Sequence, residues 1–447
     1  MPADANKNTN TNFQNTLYTN DNLFVLRRLD SESVDLIYLD PPFNSKREYD
    51  APTGSLAEGA SFNDIWKWDE DVDEKELADM IPDNPKLVQF ILSIGTFHSK
   101  AMQAYIFYMA QRVIEMHRIL KPTGSLYYHC DPTAGHFVKL MLDCIFGEKN
   151  FRNEIVWCYR GAGYPRNDFG RRHDLIYRFT KDKKNYYFNV DEVREEYAET
   201  TKQRFKYKIG NKRNGKDFGD QQLHPLGKHP DDWWQIQPVA PSANYRTGYP
   251  TQKPPELLER IIKSSCPKNG VVLDPFCGCG TTCVVAKHLG INWIGIDKSA
   301  TTPNTIRWIY ENKYGEGMLY KEDYVVRKDL PIRHDLKIEN LEETLTKQQI
   351  KARLYKQQNC KCNGCGNPFP ITALEIDHIF PKSKGGEDNY ENFQLLCGWC
   401  NRVKGNRDMK YLNAKIKANM HLLQYDLPKE KDVDLDKEDD KQKNIFD

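Results

Sequence analysis

The chain has 447 residues, too many for one ordinary hydrophobic core, so two or three domains are expected. Its 64 Lys and Arg nearly balance 63 Asp and Glu, and net charge therefore excludes neither an acidic nor a basic partner. No window approaches 18 apolar residues and Met1 to Asn15 is polar, so neither a membrane span nor an export signal is expected; the chain reads as intracellular, where its 12 cysteines need a use other than disulfides.

Taken in order, Thr16 to Leu29 reads as a polar turn leading into a short amphipathic helix, with Leu23, Leu26 and Leu29 at helical spacing. Leu36, Ile37, Tyr38 and Leu39 predict a short buried strand that stops at Asp40, Pro41, Pro42 and Phe43. Two prolines have no N–H and fix φ, so the chain turns a rigid corner with an acid at the carboxyl end of a strand, where open α/β sheets bind ligands. Such a corner suits attack by a weakly nucleophilic amino group on a ring. Asp40 can accept one hydrogen of the amine, the carbonyl of Pro41 the other, and Phe43 can stack on a base rotated out of its duplex. An acid before two prolines also fits a plain turn after a core strand.

Residues 44 to 80 read as a long loop over this acid, with Phe62, Trp66 and Trp68 suiting a lid or a satellite apolar cluster. A helix is predicted from Phe97 to Leu120, a strand from Ser125 to His129, a helix from Ala134 to Phe146 closed by Gly147, and strands over Glu154 to Tyr159 and Asp174 to Thr180. This alternation predicts a mostly parallel sheet with helices on both faces. Residues 160 to 216 break the rhythm, holding 16 Lys/Arg against 8 Asp/Glu with ten aromatics from Tyr164 to Tyr207. That composition can neutralise phosphates and contact bases, and a solvated insert would look the same.

The pattern resumes with a helix over Leu257 to Ser265 and a strand over Val271 to Leu273, ending in Asp274, Pro275, Phe276, Cys277, Gly278, Cys279, Gly280, Thr281 and Thr282. Two glycines spaced by one residue let the backbone approach a bound molecule before a helix starts at Thr281 or Thr282. A second strand, Trp293 to Ile296, ends at Asp297, 17 residues after Gly280 and suitably placed for ribose hydroxyls. The third glycine of a dinucleotide fingerprint is missing, so a cofactor with a ribose and no pyrophosphate fits better.

These motifs resemble the β-class DNA amino-methyltransferases over roughly Thr16 to Tyr320, a family in which the catalytic tetrapeptide precedes the S-adenosylmethionine motif. The resemblance implies a permuted Rossmann-like sheet over 13–325, with a target recognition region at 160–245 and with Asp40 and Asp274 adjacent in space. It further implies that Phe276, Gly278, Gly280 and Thr281 surround the cofactor beside Asp274, that Asp297 holds its ribose, that Asp21 lies near its adenine, and that Gln252 and Lys253 of the run Gly248 to Pro254 stand beside it. An Asp-Pro-Pro-Phe corner resembles enzymes acting on adenine N6, with cytosine N4 as the alternative. Structured RNA is a competing substrate.

Residues 326–350 are charged and read as a connector. Beyond it, Cys362 and Cys365, then Cys397 and Cys400, form two CxxC pairs, a strong signal for a closed and therefore structural zinc site. Between and after them, Asp377, His378, Asn392 and Asn401 resemble the HNH nuclease family over 351–412. That match implies a small zinc-stapled ββα domain in which His378 is the general base, Asp377 and Asn401 bind Mg²⁺ or another divalent metal, and Asn392 braces the loop carrying His378. Asn401 stands where many members carry histidine, and the alternative is a non-catalytic zinc DNA-binding module. Residues 425–447 are acidic and predicted disordered. No GxxxxGK[ST] loop occurs, so no motor is expected. The two resemblances together imply a restriction-modification enzyme acting on double-stranded DNA in a prokaryotic cytoplasm, and they leave a homodimer open.

Overall fold

The computed structural model describes residues 15–161, 163, 165–206, 210–214, 216–220, 222–315, 324–335, 347–358, 360–386, 388 and 390–418. The acidic tail 425–447 and residues 336–346 of the connector lie outside them. The chain divides into a unit ending at Asp335 and a unit beginning at Leu336.

The first unit opens with β1 (Thr16–Tyr18), α1 (Asn22–Arg28) and β2 (Val34–Leu39). A hairpin of β3 (Glu48–Asp50) and β4 (Ser61–Asn63) follows, then α2 (Trp68–Asp71), α3 (Glu74–Asp79), α4 (Pro85–Phe97), α5 (Lys100–Ile119), β5 (Leu120–Cys130) and α6 (Pro132–Phe146). Next come β6 (Phe151–Cys158), β7 (His173–Thr180), α7 (Glu199–Arg204), β8 (Gly210–Arg213), β9 (Lys216–Asp220) and β10 (Trp233–Gln235). The unit ends with α8 (Pro255–Ser265), β11 (Val271–Asp274), α9 (Thr281–His288), β12 (Asn292–Ile296), α10 (Thr302–Tyr314) and β13 (Val325–Arg327).

Nine strands form one sheet in the order β10-β6-β7-β5-β2-β11-β12-β1-β13. All neighbours run parallel except β7, which is antiparallel to both β5 and β6. Alternation along the strands divides the core between two faces. Ile37, Leu39 and Leu273 pack with α1, α4, α5 and α6, whereas Leu36, Tyr38 and Val272 pack with α8, α9 and α10. The α/β architecture with helices on both faces is therefore present.

Several local expectations are corrected. Thr16–Tyr18 is not a turn but a strand, because three buried residues pair with β12 on one side and β13 on the other. The helix expected from Phe97 starts at Lys100, since Ser99 leaves helical geometry and its hydroxyl caps the Met102 amide. The loop over 44–80 contains a hairpin and two short helices, and Trp66 and Trp68 pack against the core while Phe62 remains over the cleft described below. Part of the basic, aromatic stretch is sheet interior: Tyr177 and Phe179 are core residues, and Arg178 is buried with its guanidinium 4.2 Å from the centre of the Phe188 ring.

The first unit also continues past the expected boundary at 325. Thr19 and Val325 share the backbone ladder around β13, the Ser31 amide donates to Asp335 (2.9 Å), and the His334 amide is bound by Asp30. In the second unit α11 (Lys347–Gln357) buries Leu354 against β15 (Phe393–Cys397), so residues from 347 belong to that domain and not to a connector. β15 pairs antiparallel with β14 (Leu374–His378), and α12 (Gly398–Lys404) and α13 (Met409–Ala418) complete the unit.

A fragment ending at 335 is expected to melt at least ~5 °C above one ending at 325, because the shorter chain loses the edge strand and exposes β1. Equal melting temperatures by circular dichroism would show that residues 326–335 add nothing to the first unit.

Candidate functional site

The corner after β2 is held by an acid that the sequence reading missed. Asp64, 1% exposed, accepts the amides of Phe43 (3.1 Å), Asn44 (2.7 Å) and Ser45 (2.7 Å), and the indole N–H of Trp66 (3.0 Å). These amides follow two prolines and leave the sheet, so without Asp64 they would be buried donors with no ladder partner. Asn44 sits at φ +63°, the tight turn that brings the three amides together. A single acid between Phe62 and Trp66 in an otherwise lid-like stretch was the available signal.

The corner aims Asp40 into a cleft of about 810 Å³, counted out to its open mouth, whose walls include Phe43, Phe62, Lys253, Asp274, Phe276 and Asp297. Pro41 and Pro42 line it as well. The Lys253 ammonium donates to Asp40 Oδ2 and to the carbonyl of Thr251, a β-branched residue held at φ +62°. Asp40 Oδ1 is buried without a hydrogen-bond donor among the described residues. His129, at the end of β5, lies 3.7 Å from that oxygen through Nδ1 and stacks on Phe43 with centroids 5.9 Å apart. Its Nδ1 also pairs with the Tyr38 hydroxyl (2.9 Å) and its Nε2 with Asp174 (3.3 Å).

Parallel pairing of Ile37 with Leu273 sets Asp40 and Asp274 on neighbouring strand ends. Asp274 is 3% exposed; it accepts the Thr282 hydroxyl (2.5 Å) and the Phe276 amide (3.0 Å). Burial, more than these two donors can offset, pushes its carboxyl up to about 7, with Asp40 and Asp297 adding to the rise. Asp297 accepts the amides of Gly278 (2.9 Å) and Ser299 (2.8 Å), and burial raises its carboxyl too. Gly278, Gly280 and Thr281 form the turn into α9. Gly278 and Gly280 have φ +54° and +81°, and a Cβ would lie 2.9 Å from the Tyr249 ring and 2.2 Å from Ile306. Packing within the protein thus requires glycine at both positions, and Gly278 also lines the cleft.

Gln252 faces the cleft, yet its amide oxygen accepts the Thr247 amide (2.9 Å) and hydroxyl (3.0 Å), so it clamps the turn that presents Lys253. Asp21 caps α1 by accepting the Leu23 amide (2.9 Å) and pairs with Lys298 (2.7 Å) and Arg112 (3.5 Å). It lies beside Asn20 and Asn22, which line an adjoining cleft that shares Phe276 and Asp297 with the first. Asn22 bridges Arg112 Nε (2.7 Å) to the Pro275 carbonyl (2.8 Å), tying α1 to the second acidic corner.

In the second unit the sulfurs of Cys362, Cys365, Cys397 and Cys400 lie within 4.8 Å of one another. That cluster can close on one ion, since tetrahedral thiolates at about 2.3 Å suit zinc. The amides of Cys397 (3.2 Å) and Gly364 (3.4 Å) point at the Cys362 sulfur, and with a hydrogen bond from Cys400 as the largest cause its thiol is pulled down to about 5. On the hairpin, Asn392 accepts the Phe380 amide (2.8 Å) and donates to the Phe380 carbonyl (3.0 Å) just beyond His378. His378 Nε2 pairs with Asp388 (2.6 Å). Asp377 is engaged by Gln394 (2.9 Å) and by the 1% exposed ammonium of Lys404 (3.0 Å), while Asn401 donates to Glu375 (2.5 Å). Asp388 and Glu375 were absent from the sequence reading, which gave Lys404 no role.

Asp64→Ala leaves three backbone amides without an acceptor and is expected to cost on the order of 3 kcal/mol in urea unfolding, against ~1 kcal/mol or less for Asp69→Ala on an exposed helix turn. For Asp274 the folded-state carboxyl lies above the unfolded one, so its contribution to stability is present below the unfolded value near 4 and is lost as pH rises through about 7. The stability difference Asp274→Asn minus wild type should therefore grow in favour of the variant from pH 4 to 7; a difference independent of pH would exclude a raised carboxyl.

The DNA methylase family matches residues 34–307, and the HNH endonuclease family matches residues 362–407. Among curated proteins, the chain is 32% identical over 205 residues to the type II methyltransferase M.BglII of Bacillus subtilis, covering 44% of this chain and 54% of that protein. It is 30% identical to the DNA adenine methyltransferase YhdJ of Escherichia coli, covering 63% of this chain and 78% of that protein. Among solved structures, PvuII DNA methyltransferase (cytosine-N4-specific) aligns at 14% identity with a TM-score of 0.41, over 68% of this chain and 94% of that one. The paired acidic strand ends thus lie within a family match that spans more than half the sequence, and the chain belongs to the DNA methylase family, with an HNH domain following it.

Proposed function

We propose that the first unit transfers a methyl group from S-adenosylmethionine to an exocyclic base amine in double-stranded DNA, adenine N6 before cytosine N4. The observation that carries this reading is the meeting of Asp40 and Asp274 on one cleft, with an Asp40 oxygen left without a donor. When bound, the cofactor supplies an electrophilic methyl group. Asp297 would hold its ribose, with Phe276, Gly278, Thr281 and Asp274 beside it and Asp21 and Asn20 towards its base.

Asp40 and the Pro41 carbonyl accept the two amine hydrogens and draw the lone pair out of conjugation with the ring. Phe43 stacks on the extruded base. Lys253 must yield at least part of its hold on Asp40 for the amine to take that place, and the carbonyl of Thr251 keeps the ammonium nearby. Aspartate in place of serine at position 40 supports adenine. The exposed basic residues of 160–245 suit phosphate contact and target recognition.

For the second unit we propose DNA cleavage with a zinc ion held by the four cysteines, His378 as general base and a divalent metal on Asp377 and Asn401. The Asp388 carboxylate orients His378, as a base needs. One observation favours a non-cleaving zinc module instead: Asp377 and Asn401 are already engaged by Lys404 and Glu375. Methylation and cleavage in one chain fit a restriction-modification role in a prokaryotic cytoplasm.

Asp40→Ala is expected to lower methyl transfer to unmodified bacterial DNA by at least ~1000-fold while sparing cleavage, and His378→Ala to do the reverse. Mass spectrometry of hydrolysed product should give N6-methyladenine; N4-methylcytosine would reverse the base assignment. Plasmid DNA left intact with Mg²⁺ and with Mn²⁺ at every methylation state would establish the non-cleaving module.

A further inference from the structure

His129 is fully buried at the end of β5, away from solvent, yet it touches three ionisable groups, from β2, from the corner that follows it and from β7. The proton positions follow from chemistry. Asp174 is held below its usual range: burial would raise it, but the hydrogen bond and charge of His129, then Lys253 and the Tyr159 hydroxyl, bring it down. An ionised carboxylate only accepts, so Nε2 of His129 carries the hydrogen. In the neutral form of the ring Nδ1 bears a lone pair, and Tyr38, whose hydroxyl is kept neutral by burial, donates to it. The same lone pair lies 3.7 Å from Asp40 Oδ1, which has no donor among the described residues. Two acceptors face one another across a gap that one proton would bridge.

We propose that His129 and Asp174 form a proton relay behind Asp40. The proposal rests on the methyl-transfer reading. In that reaction the amine nitrogen forms a bond to the methyl carbon as the carbon–sulfur bond breaks, its electron pair remaining on sulfur. The nitrogen, now carrying the positive charge, gives one proton to the Asp40 carboxylate. When the carboxyl turns that proton to the His129 side and the Tyr38 hydroxyl turns its own hydrogen away from Nδ1, the proton passes from Asp40 to Nδ1, and the imidazolium is balanced by Asp174 in the manner of a histidine–carboxylate pair. Proton release to solvent follows through the partly exposed Asp174 and Tyr159 side. Asp40 is thereby restored as an anion for the next amine.

The charged and titratable groups facing the ring are Tyr38 from β2, Asp40 from the corner, Asp174 from β7, and Tyr159 and Lys253 one contact further out. Trp157 and Phe43 close the remaining sides with their rings. Lys253 holds Asp40 Oδ2, the place the amine takes, so the Oδ1 side is left to the relay.

His129 and Asp174 are positioning and relay residues, and the test uses a readout that simple support of the fold would not move. Single-turnover transfer of a tritiated methyl group to unmodified bacterial genomic DNA is measured across pH with the full chain, with Asp174→Asn and with His129→Gln. Asparagine can still accept from Nε2, so Asp174→Asn removes charge with little change in packing. The wild-type rate is expected to fall on the acid side, since the relay has to accept a proton. Asp174→Asn is expected to be ~10- to 100-fold slower on the plateau, with its acid limb moved to lower pH because the protonated ring has lost its counter-anion. His129→Gln is expected to lose the limb. A rate for Asp174→Asn within about twofold of wild type, or lowered equally at every pH with the limb unmoved, would overturn the relay. Wild-type protein that transfers no methyl group to DNA would overturn the methyl-transfer reading itself, and the relay with it.

Discussion

The parallel pairing of β2 with β11 is the constraint on which the first unit depends. Leu36 sits opposite Val272 and Ile37 opposite Leu273, so two chain segments more than two hundred residues apart end side by side at one sheet edge. Each strand is buried on both faces, which fixes its register: a slip by one residue would turn Ile37 and Leu273 to the wrong core. Both strands then end in an acid followed by proline. The same burial that makes the sheet stable therefore sets two carboxylates in a cleft where desolvation can act on them.

Desolvation does not act alike on the two. Asp274 is nearly closed off, and its two donors do not offset burial. Asp40 has the Lys253 ammonium on one oxygen and the His129 ring opposite the other. One carboxylate is thus pinned to the fold and the other kept available. The pinning extends outward through Asp64 on the first corner and Asn22 on the second, so that both turns are held by side chains from other segments. Such cross-segment braces are what hold a reacting group to the tolerance that catalysis needs.

The second unit solves a different problem. Its core is small, with Leu354, Leu374, Leu395, Leu396 and Leu412 as the main apolar residues, and a cluster of four cysteines stands where a larger domain would add more leucine. The hairpin and α12 meet at Lys404, whose buried ammonium binds Asp377 and the His378 carbonyl (2.7 Å). A buried cation of this kind is tolerated only where it is fully paired, and here its partners belong to the strand that carries His378.

The sequence by itself determined the alternation of strands and helices, the acidic corners at Asp40 and Asp274, and the four cysteines, because periodicity, proline and short CxxC spacing are local signals. The antiparallel direction of β7, the strand at Thr16–Tyr18 and the true end of the first unit near 335 were decided by pairing with distant segments. So were the partners of each acid. Asp64 is one of 63 acidic residues, and nothing within its own neighbourhood marks it until three amides from another turn converge on it. His129 likewise reads as one more strand residue, and its place between Asp40 and Asp174 exists only because β2, β5 and β7 lie next to one another. Spacing along the chain encodes which residue types are present, whereas contact between them depends on the sheet order that buries the most apolar surface.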